Sequence, residues 1–361
     1  LMKKLFWKNK RVFITGHTGF KGSWLVLILK SLGAKVTGYA LDPISKPNFF
    51  DNLNLSKFLE NDYRQDIQNF STLNKLIKRS KPDIIFHLAA QSSVLVSYEN
   101  PDDTLKTNVI GTFNLLQAIR SNKSIKSAIV VTTDKVYLNE DKKINFNESS
   151  KLGGYDIYSS SKACCEIITE GYRNSFIKNQ NCRIATVRSG NCIGGGDWTE
   201  DRIVKDCVEA FIKKKNLIIR SPNATRPWQH VMEPIFGYLK LAEKLFSKNG
   251  EKYIGSWNFG PNNINLSVLR LAQLGKKIFN SKSKIIIKKN KKKTKHEAKY
   301  LSLNSKKSLK KLNWRVYLKP EKSLKLTFDW FKVFYSKKNK TEIINYTNKQ
   351  LQNFQKLIKY Y

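Results

Sequence analysis

Short β-branched and aromatic runs alternate with apolar-periodic stretches over the first half of the chain. Residues 11–15 (Arg-Val-Phe-Ile-Thr) predict a strand that breaks into a glycine-rich turn, and residues 23–32 predict a helix stopped by Gly33. A second strand is expected over 35–39, ending near Asp42-Pro43. The alternation then continues. A strand ends near Asp66-Ile67, a helix covers 71–79 and a buried strand 83–88. A helix over 108–121, a strand over 127–133, a helix over 158–176 and a strand over 182–188 follow. Strands alternating with helices imply an α/β fold of the Rossmann type, a doubly wound parallel sheet. Past residue 190 the alternation weakens. Gly194-Gly195-Gly196-Asp197-Trp198, Arg226-Pro227-Trp228-Gln229-His230 and Trp257-Asn258-Phe259-Gly260-Pro261 read as loops of a smaller C-terminal substrate-binding lobe. The expected domains are 1–189, binding the cofactor and carrying the chemistry; 190–335, a lobe free to return a strand to the sheet; and 336–361, a Lys- and Asn-rich surface helix or tail.

Composition changes this picture little. The 361 residues are 40% apolar with seven Trp and twenty Phe, enough for a large core. The longest apolar run, 24–29, is too short to cross a bilayer, and the first residues lack the apolar region of a secretory signal. A cytoplasmic enzyme is the expectation. Five cysteines without a C-x-x-C pair, beside four histidines, suggest free thiols and no metal cluster. The net charge of +38 raises a rival reading, a nucleic-acid binder on a Rossmann scaffold. That reading has little else behind it, because the basic residues run along the whole chain and 54 of the 66 are Lys, not the bidentate Arg. The densest run, Lys288 to Lys295, reads as a solvated loop.

Gly16, Gly19 and Gly22 form a G-x-x-G-x-x-G turn between a strand and a helix. The first glycine permits the turn, the second lets backbone approach a pyrophosphate, and the third lets the helix pack closely. The helix N-terminus then offers free N–H groups to the phosphates. Asp42, just past the second strand, either accepts from an adenosine ribose, favouring NAD over NADP, or caps the turn at Pro43. Asp66-Ile67 stands where it could hold the adenine edge.

Tyr158-Ser159-Ser160-Ser161-Lys162 sets a phenol and an ammonium four residues apart on one helical face. A nearby cation lowers a phenol's pKa, so the tyrosinate can take a proton from a sugar hydroxyl. The spacing alone is common in so lysine-rich a chain. Its position after a strand ending in Thr132-Thr133-Asp134-Lys135 carries the argument, because catalytic groups of open α/β sheets gather at strand ends. Thr133 can share the hydroxyl with Tyr158. Asp134 and Lys135 are either an acid and a base for eliminating water, or an ion pair closing the strand.

With the glycine loop, Phe86-His87-Leu88-Ala89-Ala90-Gln91, Thr133 and Tyr158/Lys162 on the page, the chain resembles extended short-chain dehydrogenases acting on nucleotide sugars. The Gly196-Asp197-Trp198, Arg226-Pro227-Trp228 and His296-Glu297-Ala298 motifs resemble the CDP-glucose 4,6-dehydratases within that family. The resemblance implies NAD as cofactor, with Gly16, Thr18, Gly19, Phe20, Gly22, Asp42, Asp66, Ile67, Ala89 and Lys162 around it. It implies oxidation at C4 with Tyr158 as base and Lys162 its partner, then loss of water across C5–C6 with Asp134 as acid and Lys135 as base, then return of hydride to C6. Gln91, Asn191 and Arg226 are the expected substrate contacts, although Arg226 could equally pair with a structural carboxylate. The resemblance also implies a homo-oligomer. A dehydratase for UDP-N-acetylglucosamine or dTDP-glucose, or a 4-epimerase, remains the alternative.

Overall fold

Seven parallel strands form the central sheet: β1 (Arg11–Thr15), β2 (Lys35–Ala40), β3 (Leu59–Arg64), β4 (Ile84–His87), β5 (Ser127–Val131), β6 (Arg183–Ser189) and β7 (Gly255–Phe259). Their order is 7-6-5-4-1-2-3, and every neighbouring pair is parallel. The computed structural model describes residues 4–177, 180–261, 266–288, 300–336 and 339–359. Most of the lysine run after Lys288, and His296-Glu297-Ala298, lie outside the described residues.

Side chains of the inner strands go alternately to two cores, as the period of a strand requires. Val12 and Ile14 of β1, Ile84 and Phe86 of β4 and Ile129 and Val131 of β5 join the larger core. Phe13, Ile85, Ala128 and Val130 join the smaller one on the opposite face. Among the described residues the nine longer helices are α1 (Phe20–Ser31), α2 (Phe70–Ser80), α3 (Gly111–Ser121), α4 (Ile157–Tyr172), α5 (Ile203–Ile212), α6 (Met232–Phe246), α7 (Val268–Phe279), α8 (Pro320–Ser336) and α9 (Lys340–Lys359). α4 starts where it does because Asp156, extended, accepts from the Ser159 backbone N–H at 2.9 Å and the Ser159 hydroxyl at 2.7 Å. That cap puts Tyr158 in the first turn.

Two expectations change. Residues 257–259, read above as loop, lie in β7, whose polar Asn258 is fully buried yet bonded to Tyr137 Oη at 2.7 Å and Phe146 O at 3.0 Å. Long-range partners, absent from any local pattern, let a polar residue occupy a sheet. The second half also contributes to the larger core through α6, which buries Ile235, Phe236, Tyr238, Leu239 and Leu241. At the end of the chain, α9 buries Ile343, Leu351 and Phe354, and Thr347 accepts from Trp330 Nε1 at 2.8 Å.

Candidate active site

The order reverses between β1 and β4, and their ends are in register: Thr15 faces Tyr39 on one side and His87 on the other. A doubly wound sheet opens a crevice at such a point. Here the crevice is a cavity of about 1320 Å³ that runs from the glycine loop and Asp42 to Tyr158, Arg226 and Arg202. Ordinary small-molecule pockets occupy roughly 300–1,000 Å³, so there is room for a dinucleotide and a second ligand.

The glycine loop meets its steric requirements differently at each position. Gly16 has φ +74°, and a Cβ there would stand 2.5 Å from Ala89 N. A Cβ on Gly22 would stand 2.1 Å from Gly16 O. Both are demanded by the fold itself. Gly19 is not: a Cβ there would meet only Gly16 O, at an ordinary 3.5 Å. It precedes α1 without a side-chain cap, and the residues of that first turn line the cavity, so the helix N-terminus has N–H groups to offer a ligand there. Residues 16, 18–20, 42, 66, 67 and 89 all line this cavity. Thr18 spends its hydroxyl on Leu41 O at 2.8 Å, tying the loop to the end of β2. Ala89 N donates to Thr15 Oγ1 at 3.2 Å, and Tyr39 Oη donates to Asp66 O at 2.7 Å. Asp42 is exposed and meets Arg64 at 3.2 Å, while Arg64 forks onto Asp62 with two 2.9 Å bonds.

Thr133, Asp134, Lys135, Tyr158 and Lys162 line the same cavity. Lys162 Nζ donates to Val131 O at 3.3 Å, which anchors the ammonium under the end of β5. Thr133 Oγ1 donates to Asp134 Oδ1 at 3.1 Å. Asp134 Oδ2 is buried without a hydrogen-bond partner among the described residues. Burial therefore pushes the Asp134 carboxyl above the usual range, against Lys135, Thr133, Arg226 and Lys21.

Burial pushes the Tyr158 phenol up, opposed by a hydrogen bond with Thr133 and by the charges of Arg202 and Lys21. Lys162, expected above to be the cation that lowers the phenol's pKa, is itself pulled down by burial and by Lys21. Lys21 and Arg202 were missed by motif reading. Lys21 is hidden among the many lysines, and Arg202 lies in the irregular stretch before α5.

The expected substrate contacts divide. Asn191 and Arg226 line the cavity, and Arg226 is close enough for its charge to act on Asp134. Gln91 is spent on the fold. Its Nε2 donates to Ser93 O at 3.0 Å and Thr104 Oγ1 at 2.8 Å, and it does not line the cavity. Among the described residues no His, Cys, Asp and Glu grouping could hold a metal, all five cysteines are free, and no helix is long and apolar enough to cross a membrane.

A Rossmann sheet with a glycine-rich β1–α1 turn and a Tyr–Lys pair on a later helix defines an extended short-chain dehydrogenase. More narrowly, the chain belongs to the GDP-mannose 4,6 dehydratase family, whose sequence model matches residues 13–327. It is 45% identical over 266 residues to the CDP-glucose 4,6-dehydratase of Salmonella typhimurium, covering 72% of this chain and 74% of that one. It is 26% identical over 344 residues to a probable dTDP-glucose 4,6-dehydratase of Sinorhizobium fredii, covering 89% and 92%. Among solved structures, the fold matches the UDP-glucose 4-epimerase of Thermotoga maritima with UDP-glucose (TM-score 0.78, 24% identity, 90% and 99% covered). It also matches the dTDP-glucose 4,6-dehydratase of Bacillus anthracis in complex with NAD (TM-score 0.73, 22% identity, 90% and 96% covered).

Proposed function

We propose that this chain converts CDP-glucose to CDP-4-keto-6-deoxy-glucose with NAD as a recycled cofactor. The observation that carries the reading is that Thr133, Asp134, Lys135, Tyr158 and Lys162 line the same cavity as the glycine loop. The family and the 45% identical relative support the substrate. NAD fits these residues: Gly19 leaves the loop open to a pyrophosphate, and the Asp42 carboxylate stands where it repels a 2′-phosphate.

Held along the glycine loop, Asp42 and Asp66, NAD would supply the hydride acceptor for C4 and the hydride donor for C6. Tyr158 takes the C4 hydroxyl proton, with Thr133 holding the same oxygen. Once C4 is a ketone the C5 proton is acidic; Lys135 removes it while Asp134 protonates the departing C6 oxygen. The burial that pushes the Asp134 carboxyl up, with its Oδ2 unpartnered among the described residues, supports the donor role. An epimerase would need no such acid. Arg226, Arg202 and Asn191 are the contacts we assign to the diphosphate. Gln91 is assigned to the support of its loop.

The outward residues Ile110, Phe113, Ile167 and Phe176, all exposed on α3, α4 and the turns continuing them, support a homo-oligomer formed through these helices. Free thiols and a nucleotide-sugar substrate support a cytoplasmic setting. Incubation of the purified chain with CDP-glucose should yield a 4-keto product absorbing in alkali. Turnover of UDP-N-acetylglucosamine or dTDP-glucose in its place would overturn the substrate assignment.

A further inference from the structure

The turn that carries Thr133, Asp134 and Lys135 runs from the end of β5 to Tyr137, and residues 132–135 and 137 all line the cavity. Both of its ends are tied to one buried ion pair. At the near end, Thr132 Oγ1 donates to Glu166 Oε1 at 2.6 Å. The same carboxylate accepts from Arg188 Nε and Nη2, each at 2.9 Å. At the far end, Arg188 Nη1 donates to Tyr137 Oη at 2.9 Å, and Tyr137 Oη donates in turn to Asn258 Oδ1 at 2.7 Å. The series Thr132, Glu166, Arg188, Tyr137 therefore spans the turn through side chains of α4 and β6. Asp134 itself has little slack: a Cβ built on Gly190, two residues beyond Arg188, would stand 3.3 Å from its Oδ2. A buried ion pair is weak evidence for stability, because packed apolar residues of similar volume often serve as well or better. What apolar residues cannot do is hold hydroxyls at both ends of a turn.

We propose that Glu166 and Arg188 are positioning residues for the elimination step: their ion pair clamps the turn at Thr132 and Tyr137 and so holds Asp134 and Lys135 in place. The inference rests on the reading of Asp134 and Lys135 as the acid and base of that step. Neither Glu166 nor Arg188 lines the cavity, so both act through the turn. Glu166 stands one helical turn beyond Lys162 on α4, so the clamp also fixes the acid and base against the helix that carries Tyr158. The Tyr137 ring is stacked on Phe146 at 5.0 Å, which leaves its hydroxyl as the link between Arg188 and the far end of the turn.

The test replaces the pair by apolar residues, Glu166→Leu together with Arg188→Met, an exchange that buried pairs often tolerate without loss of stability. With the sugar nucleotide that the wild-type chain turns over, kcat should fall by about 10²-fold, the cost of a small misplacement, while KM changes little. Single-turnover absorbance of the reduced nicotinamide gives a readout that lost stability would not move. It should build up beyond the wild-type level, because oxidation at C4 continues while elimination is slowed. Tyr137→Phe keeps the ion pair and cuts only the far link, so it should show the same build-up with a smaller loss of kcat. A folded double variant with wild-type kcat and no build-up overturns the inference. If the double variant does not fold, Tyr137→Phe decides, and wild-type behaviour there is equally contrary. Amide exchange of the ligand-free chain needs no sugar nucleotide. The N–H groups of Thr132, Leu138 and Gly153, bonded to Val187 O, Lys151 O and Val136 O at 2.8–2.9 Å, should exchange faster in the variants while β1 stays protected. Unmoved exchange at these amides would sink the inference alone, and a wild-type chain inert toward sugar nucleotides would sink the proposed function.

Discussion

Arg188 meets both carboxylate oxygens of Glu166, Nε to Oε1 and Nη2 to Oε2, each at 2.9 Å. Both residues are 3% exposed. Thr132 Oγ1 donates to the same carboxylate at 2.6 Å and Thr186 Oγ1 at 2.5 Å. Glu166 follows Lys162 by one turn of α4, so the helix carrying the Tyr–Lys pair is bolted to β6 and to the end of β5. Removing one partner leaves an uncompensated buried charge. Glu166→Ala should therefore lower unfolding free energy by about 3–5 kcal/mol in a denaturant titration. A loss below about 1 kcal/mol would mean the pair is incidental.

Tyr158→Phe removes the proposed proton acceptor and little else, because the ring remains in place. Turnover should fall by roughly 10²–10⁴-fold, the usual contribution of a positioned acid or base, with the melting temperature nearly unchanged. Burial holds the phenol above its ordinary range, so wild-type kcat/KM should rise with pH on its acidic side. Steady-state kinetics with CDP-glucose across pH check both parts.

On the proposed reading, Asp42 and Arg64 set the cofactor's charge preference together. Asp42 lines the cavity with its carboxylate largely exposed, 3.2 Å from the Arg64 guanidinium. Asp42→Ser removes the repulsion and frees one Arg64 nitrogen toward a 2′-phosphate. The ratio of NADP to NAD affinity should increase by about tenfold or more, the scale of one charge-assisted contact. Calorimetric binding of the two dinucleotides checks it; an unchanged ratio would place the discrimination elsewhere.

Glu233 titrates for structural reasons. Its Oε1 accepts from the Tyr317 N–H at 2.9 Å and the Leu318 N–H at 2.7 Å, while burial pushes its carboxyl to about 8. The folded state thus binds a proton that the unfolded chain, with an ordinary glutamate near 4.5, has already lost. The sign is that of a raised acid. Its stabilising contribution is full below about 4.5 and lost as pH rises through about 8, by roughly 1.4 kcal/mol per pH unit between them. Glu233→Gln should flatten that part of the stability curve measured by denaturation at several pH values. A slope equal to wild type would contradict the assignment.

Local chemistry was readable; long-range partnership was not. The β1–α1 turn was legible because Gly16 and Gly22 serve contacts a few residues away, plus one with Ala89. Tyr158 and Lys162 were legible because helical spacing brings them to one face. β7 was misread because Asn258 is satisfied by Tyr137, Phe146 and Ser308 from distant segments, and its polarity looked like loop. Gln91 was misread for the converse reason. A polar residue beside the site looks available until Ser93 and Thr104 are seen to consume it. The field at Tyr158 was also out of reach, since it depends on where α1 and the turn before α5 deliver Lys21 and Arg202.

The central claim is an internal hydride transfer from C4 to C6 within one cavity. CDP-glucose carrying deuterium at C4 tests it directly, with the product examined by proton NMR and mass spectrometry. Deuterium recovered at C6 of the 4-keto product, in unlabelled water and without added cofactor turnover, is the expected result. Loss of the label to solvent or to free NADH, or its return to C4 of an epimerised sugar, would contradict the account.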